Sequence, residues 1–199
     1  VANQKGGVAK TTTCLSLGAA LAEMGCSVLL IDLDPQSSLT RSVGLNPKQL
    51  SRTVINALMG DCSLVGASRE TSIFALDVVP ANSQLTLVDK VFYRLPGYQF
   101  RLKNLIHEVF QGAYEYILLD CPPYLAPLTL NALTAADLLI IPVQCEYLAL
   151  EGIGHLTQTI QRVRSALFPE LRIRGVVLTM FDSRTRLSTD VVNEVKRYF

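Results

Sequence analysis

The stretch Lys5-Gly6-Gly7-Val8-Ala9-Lys10-Thr11-Thr12 constrains this chain more than any other. It follows the apolar strand tail Val1-Ala2-Asn3 and precedes a run with helical periodicity. Glycine-rich backbone N–H groups, a helix N-terminus and two ammonium groups therefore converge on one small volume, which suits a polyphosphate. The strict P-loop pattern asks for glycine six residues and one residue before the lysine, and Gln4 and Ala9 stand there instead. What remains is a variant, K-G-G-x-x-K-[ST], marked by its leading lysine. The methyl of Ala9 is expected to be tolerated by the loop dihedrals.

A phosphate loop between strand and helix implies an α/β fold, and the rest of the chain agrees. Helix one is expected from Thr11 to Gly25, with Leu17, Ala20, Leu21 and Met24 on its inner face. Val28–Ile31, Tyr116–Asp120 and Leu138–Val143 are continuous apolar runs, the mark of parallel strands covered on both faces. Ile73–Pro80 and Gly175–Thr179 complete the strands. Gln36–Asn46 reads as loop, and helices are expected at Pro47–Met59, Ser83–Val91, Tyr98–Phe110, Leu128–Ala136, Gly152–Leu167 and Leu187–Phe199. Strand and helix alternate, so the expected fold is a doubly wound, mostly parallel sheet with helices on both faces. With 199 residues, 49% of them hydrophobic, a single P-loop domain spanning 1–199 is expected, truncated at both ends.

Carboxylates stand where such a sheet binds ligands, at the carboxyl ends of strands. Asp120 follows four apolar residues in the manner of a magnesium-associated Walker B aspartate, and Thr11 supplies a loop hydroxyl to the same cation. Asp32 and Asp34 lie two apart, so continued strand geometry would send both to one face, toward the γ-phosphate. Asp34 is assigned to the attacking water and Asp32 to the magnesium shell. ATP and Mg²⁺ are the expected cofactors, and ATP hydrolysis the expected reaction.

Net charge is +1, which argues against a polyanion-coating basic protein but leaves room for a local basic face. The five cysteines are scattered and never in C-x-x-C spacing, so neither a disulfide framework nor a zinc site is signalled. No apolar run reaches the ~18 residues of a membrane span, and a cytoplasmic setting without stable membrane insertion is expected.

Four blocks in order, K-G-G-V-A-K-T-T-T, V-L-L-I-D-L-D-P-Q, Y-I-L-L-D-C-P-P and I-P-V-Q-C-E-Y-L-A-L-E-G, resemble the ParA/Soj branch of the deviant Walker A ATPases, as does the tail T-M-F-D-S-R-T-R-L-S. The resemblance spans essentially the whole chain. It implies a partitioning ATPase for chromosome or plasmid that dimerises around ATP and binds DNA non-specifically in that state. A ParB-type partner would then stimulate hydrolysis, and the protein would be nucleoid-associated when ATP-bound. By that likeness Lys10 binds the β- and γ-phosphates, and Lys5 reaches across the dimer to the partner's nucleotide. Gly6, Gly7, Val8, Ala9, Thr11 and Thr12 complete the loop, and Gln144 and Glu146 lie beside the nucleotide or the dimer seam. Arg184, Arg186, Lys196 and Arg197 are the DNA-contact residues. Ala9, and Ser37-Ser38 in place of a frequent Gly-Asn, depart from the family pattern.

Other readings share parts of this machinery. A MinD-like membrane-switching ATPase would need a C-terminal amphipathic helix, and a ParA-like ATPase that positions a protein cargo would differ only in its partner. A nitrogenase-type iron protein would need cluster-binding cysteines, whereas Cys121 and Cys145 read as small core residues. A small-molecule kinase would need an arginine-rich lid, for which Arg94 and Arg101 are slender support.

Overall fold

Two sets of parallel strands meet on either side of the segment that leads into the glycine loop. The computed structural model describes residues 1–109, 112–146, 158, 160–166 and 168–198. One sheet holds β1 (Val28–Asp32), β2 (Arg69–Glu70), β3 (Leu76–Val79) and β4 (Tyr116–Asp120) in the order β2-β3-β1-β4. The other pairs β5 (Leu138–Gln144) with β6 (Arg172–Thr179). Val1–Asn3 bridges them: Val1 N donates to Leu119 O at 2.7 Å, Cys121 N to Val1 O at 3.3 Å, and Ala2 N to Ile140 O at 3.2 Å. Pairing is parallel except between β2 and β3, the antiparallel edge that the sequence reading lacked. The two-residue length of β2 gives periodicity nothing to register.

Besides the helical stretch at 160–166, the described helices are α1 (Lys10–Glu23), α2 (Ser38–Ser42), α3 (Val54–Met59), α4 (Leu64–Ala67), α5 (Thr86–Phe92), α6 (Arg101–Val109), α7 (Pro127–Ala135) and α8 (Arg186–Tyr198). They cover both faces of the sheet. Val28 and Leu30 pack with Cys14 and Ala22 of α1, while Leu29 and Ile31 face the larger core built with α3, α5, α6 and α7. β1 is buried along its whole length, as a strand sandwiched between helical layers must be.

Several elements differ from expectation. The inner face of α1 is Cys14, Gly18 and Ala22, and Met24 is 78% exposed. Gly18 explains the rotation, because a Cβ there would lie 2.7 Å from Leu30 Cδ2, so small residues bring helix and sheet together. Gln36–Asn46 contains α2. Pro47–Met59 is not one surface helix. A 3₁₀ turn at Pro47–Gln49 is followed by a break and by α3, whose Val54, Ile55, Ala57 and Leu58 are buried. Thr53 restarts the helix with a capping box in which its backbone N–H donates to Asn56 Oδ1 at 3.0 Å. β3 is shorter than Ile73–Pro80, because Thr71 Oγ1 donates to Leu76 O at 2.7 Å in a turn where Ala75 has φ 61°. Of the expected helix Gly152–Leu167, residues 160–166 are helical and the first half lies outside the described residues, as does Phe110.

Candidate nucleotide site

The loop gains its shape from one buried anchor and two left-handed residues. Val8 is buried, and its carbonyl accepts from Thr179 Oγ1 at 3.3 Å, which pins the loop to the end of β6. Gly7 has φ 74° and Ala9 φ 64°. Ala9 therefore occupies the region that costs a residue with a Cβ about 1–2 kcal/mol, where the strict pattern places glycine. Its carbonyl accepts from Thr13 N at 2.9 Å and Thr13 Oγ1 at 2.8 Å, which starts α1 at Lys10, one residue earlier than expected. Gly6 and Gly7 are exposed, and a Cβ built on either meets nothing within 4 Å, so the loop opens onto free space. Thr12 is also exposed.

Lys10 is buried, and its Nζ donates to Lys5 O at 2.8 Å, an intraloop tether. Burial lowers its pKa, while the charges of Asp120 and then Asp34 pull it back up. Thr11 Oγ1 donates to Asp120 Oδ2 at 2.7 Å. Asp120 Oδ1 is buried and has no hydrogen-bond partner, the one such side-chain atom among the described residues. Burial pushes the Asp120 carboxyl up to about 6, against the pull of the Thr11 hydroxyl.

Asp32 and Asp120 are register partners on adjacent parallel strands, so they leave the sheet at one level on one face. Their partners differ. Asp32 is fully buried; its Oδ2 accepts from Thr40 N at 2.9 Å and Thr40 Oγ1 at 2.6 Å, and its Oδ1 from Asp34 N at 3.1 Å. Burial pushes it up to about 7 in spite of those bonds. β1 ends at Asp32, so Asp34 lies in the following loop rather than on the strand face; its Oδ1 accepts from Gln36 N at 2.8 Å. The structure thus groups Thr11, Asp120, Lys10 and Asp34, and turns Asp32 toward α2. Thr40, which the sequence reading missed, carries no local signal, since its partner is chosen by tertiary packing.

Lys5 Nζ is paired with Glu146 Oε2 at 3.6 Å, and Gln144 Nε2 donates to Glu146 Oε1 at 2.6 Å, so both residues of the Q-C-E block stand beside the loop. Among the described residues no group of three or more His, Cys, Asp or Glu is arranged to hold a metal ion. A hydroxyl beside a half-free buried carboxylate suits a cation that brings its own waters and phosphate oxygens, as magnesium does. Cys121 and Cys145 are buried free thiols, and burial raises both.

Two of the four basic residues near the end are paired with acids. Arg184 chelates Asp182 through Nε and Nη2, at 2.9 and 2.8 Å, and Arg197 pairs with Glu194 at 2.9 Å. Arg186 and Lys196 stand at opposite ends of α8, about 15 Å apart along its axis. Val191 and Val195 supply its buried face. Among the described residues no helix is long and apolar enough to cross a membrane.

Known proteins resemble this chain along its whole length. A family model described as an AAA domain matches residues 1–173. The chromosome partitioning protein ParA of Caulobacter vibrioides is 46% identical over 200 residues, covering 100% of this chain and 75% of its own length. The sporulation initiation inhibitor protein Soj of Bacillus subtilis is 45% identical over 199 residues, with 100% and 78% covered. A solved structure from Mycobacterium smegmatis, described as cobyrinic acid a,c-diamide synthase with bound ADP and magnesium, superposes with a TM-score of 0.94 at 42% identity, covering 100% of this chain and 80% of its own.

Proposed function

The chain belongs to the ParA/Soj family of P-loop ATPases, and from that premise we propose that it is a partitioning ATPase switched by ATP and magnesium. The observation that carries this reading is the Thr11–Asp120 pair beside Lys10, with a buried carboxylate oxygen left without a donor. Lys10 leaves the Lys5 carbonyl and takes the β- and γ-phosphate oxygens, while Gly6 and Gly7 leave room for them. Magnesium, when bound, neutralises phosphate charge; Thr11 and Asp120 are the residues that hold it, with Asp32 behind them. Asp34 orients the attacking water, and Lys5 reaches the nucleotide of a second copy.

In the ATP state two chains associate, with Gln144 and Glu146 beside the seam. Their combined basic residues Arg184, Arg186, Lys196 and Arg197 then hold DNA without sequence preference, on the nucleoid. A ParB-type partner stimulates hydrolysis and release. Counterion release makes that binding fall steeply with added salt.

The test is ATP turnover alongside DNA retention for full-length wild type and Asp34→Ala over a salt series. A water-orienting residue contributes to the transition state and little to ground-state binding. The variant is therefore expected to lose at least about 100-fold in turnover, keep its ATP affinity and stay on DNA. Wild-type turnover in Asp34→Ala removes that residue from the mechanism. A protein that ignores DNA but binds anionic vesicles with ATP is a membrane switch instead, and one that binds neither with ATP overturns the DNA-bound state.

A further inference from the structure

The Thr40 hydroxyl gives its proton to Asp32 Oδ2 at 2.6 Å and accepts from Ala81 N at 2.9 Å. Both side chains are fully buried. One side chain thereby ties Asp32, which ends β1 ahead of the loop that carries Asp34, to the loop after β3. Asp34 belongs to the same chain of bonds, because its N–H donates to Asp32 Oδ1 at 3.1 Å.

These two loops are the walls of a surface cavity of about 370 Å³. Pro35, Ser37 and Arg41 from the segment after β1, Pro47, Lys48 and Leu50 from the stretch before α3, and Asn82 to Gln84 after β3 line it. The volume falls within the range of small-molecule sites, and the cavity stands at the carboxyl ends of β1 and β3, where open α/β sheets take ligands. Its charge is one-sided. Arg41 and Lys48 are cations and none of the lining residues is acidic. Arg41 is held in place by a hydrogen bond from Nη1 to Gln36 O. Guanidinium and ammonium groups together with hydroxyl and amide side chains suit phosphate oxygens, and the prolines with Leu50 suit an apolar body.

We propose that this cavity is an effector site for a small phosphorylated molecule of about nucleotide size, separate from the P-loop, and that Thr40 transmits its occupancy to Asp34. A ligand that bridges both walls fixes the spacing that the Thr40 hydroxyl sets, and hence the loop from Leu33 to Ser37. The site itself stands on the cavity's own residues; only the consequence for hydrolysis rests on the function proposed above.

Inorganic pyrophosphate is the probe, titrated by NMR into Lys10→Ala protein so that the P-loop lysine does not compete. Saturable shifts are expected at the amides of Ser37, Arg41, Lys48 and Ser83, with affinity at least about tenfold weaker in Arg41→Ala/Lys48→Ala. Both replaced side chains are exposed, so the core is untouched. The Asp34 amide should move in parallel with Thr40 or Thr40→Ser, and stay still in Thr40→Val while the cavity shifts persist. Shifts confined to residues 5–12, or cavity shifts indifferent to the double replacement, overturn the site. An Asp34 response that survives Thr40→Val overturns the transmission. If Lys10→Ala does not fold, the same titration on ADP-saturated wild type gives the same reading, and none of these outcomes depends on whether ATP is hydrolysed.

Discussion

The Lys5 ammonium lies 3.6 Å from Glu146 Oε2, while Gln144 holds the other oxygen of that carboxylate at 2.6 Å. A lysine that acts on a second chain's nucleotide has to leave this contact first. Its side chains are 28% and 56% exposed, so the pair is worth no more than about 1 kcal/mol. Glu146→Gln is expected to strengthen the ATP-dependent dimer by up to about fivefold in sedimentation, and Lys5→Ala to bind ATP yet remain monomeric. Normal ATP-dependent dimers in Lys5→Ala would remove the trans role.

Lys10 is a buried cation whose charge burial disfavours, held by one carbonyl of its own loop. Lys10→Ala should weaken ATP binding by at least about 100-fold in calorimetry, since a charge-assisted contact to phosphate is lost in a partly desolvated site. The nucleotide-free fold should keep its thermal midpoint, because the lost hydrogen bond is offset by the removal of a desolvated charge. Undiminished ATP affinity in the folded variant would refute the assignment.

Asp32 and Asp120 are both raised by burial, to about 7 and about 6. A carboxyl whose folded pKa exceeds its unfolded one binds protons more tightly in the native state. Its stabilising contribution is complete below the unfolded value, near 3.8, and is lost as pH rises through the folded one. The nucleotide-free protein should therefore show a falling thermal midpoint from about pH 4 to about pH 7, levelling off above. The added stabilisation by Mg²⁺ and ATP should grow over that range, because a metal needs its carboxylate ionised. A flat nucleotide-free profile would place both groups in a more solvated setting.

Ala9 and Ser37, the two positions where the chain departs from the family's glycines, have φ 64° and 56°. Glycine relieves the left-handed strain at the expense of unfolded-state entropy. Ala9→Gly and Ser37→Gly should each stabilise by about 0.5–1 kcal/mol in urea unfolding. A loss of stability in either would mean that its methyl or hydroxymethyl makes contacts that outweigh the strain.

The doubly wound fold was legible because β1, β4 and β5 are apolar runs that end at sites of chemistry, and the loop variant by itself named its ligand class. Short-range rules failed where packing chose between neighbours. In α1 the heavier stripe of Leu17, Leu21 and Met24 outweighed Cys14, Gly18 and Ala22 on hydrophobicity. The sheet selects the smaller residues because Gly18 leaves no room for a Cβ against Leu30. A stripe of small residues four apart was the available signal. Pro47–Met59 read as one helix because its cap at Thr53 lies inside the periodic stretch.

At the site, the grouping of Asp120 with Thr11 was readable from motif order, since both positions are defined by the backbone elements they end or begin. The partner of Asp32 was not. A carboxylate at a strand end can turn to either neighbouring loop, and Thr40 wins by offering a backbone and a side-chain donor together. The neutralisation of Arg184 by Asp182 was equally hidden, because it depends on the turn before α8 rather than on a helical spacing.

Val1–Asn3 runs between β4 and β5 and continues directly into the glycine loop. In mechanical terms, the loop is anchored on the seam between the four-stranded and two-stranded sheets. Asn3 fastens it to one side through Nδ2 to Pro142 O at 2.7 Å and to the loop itself through Oδ1 from Lys5 N at 3.0 Å. Asp120 stands on the opposite bank of that seam and Gln144 on the near one, so whatever fills the loop is gripped from both. A nucleotide bound here would act as a clasp. Force applied across the sheet would open the seam and the binding site in a single motion, and filling the site would raise the load at which the two halves part.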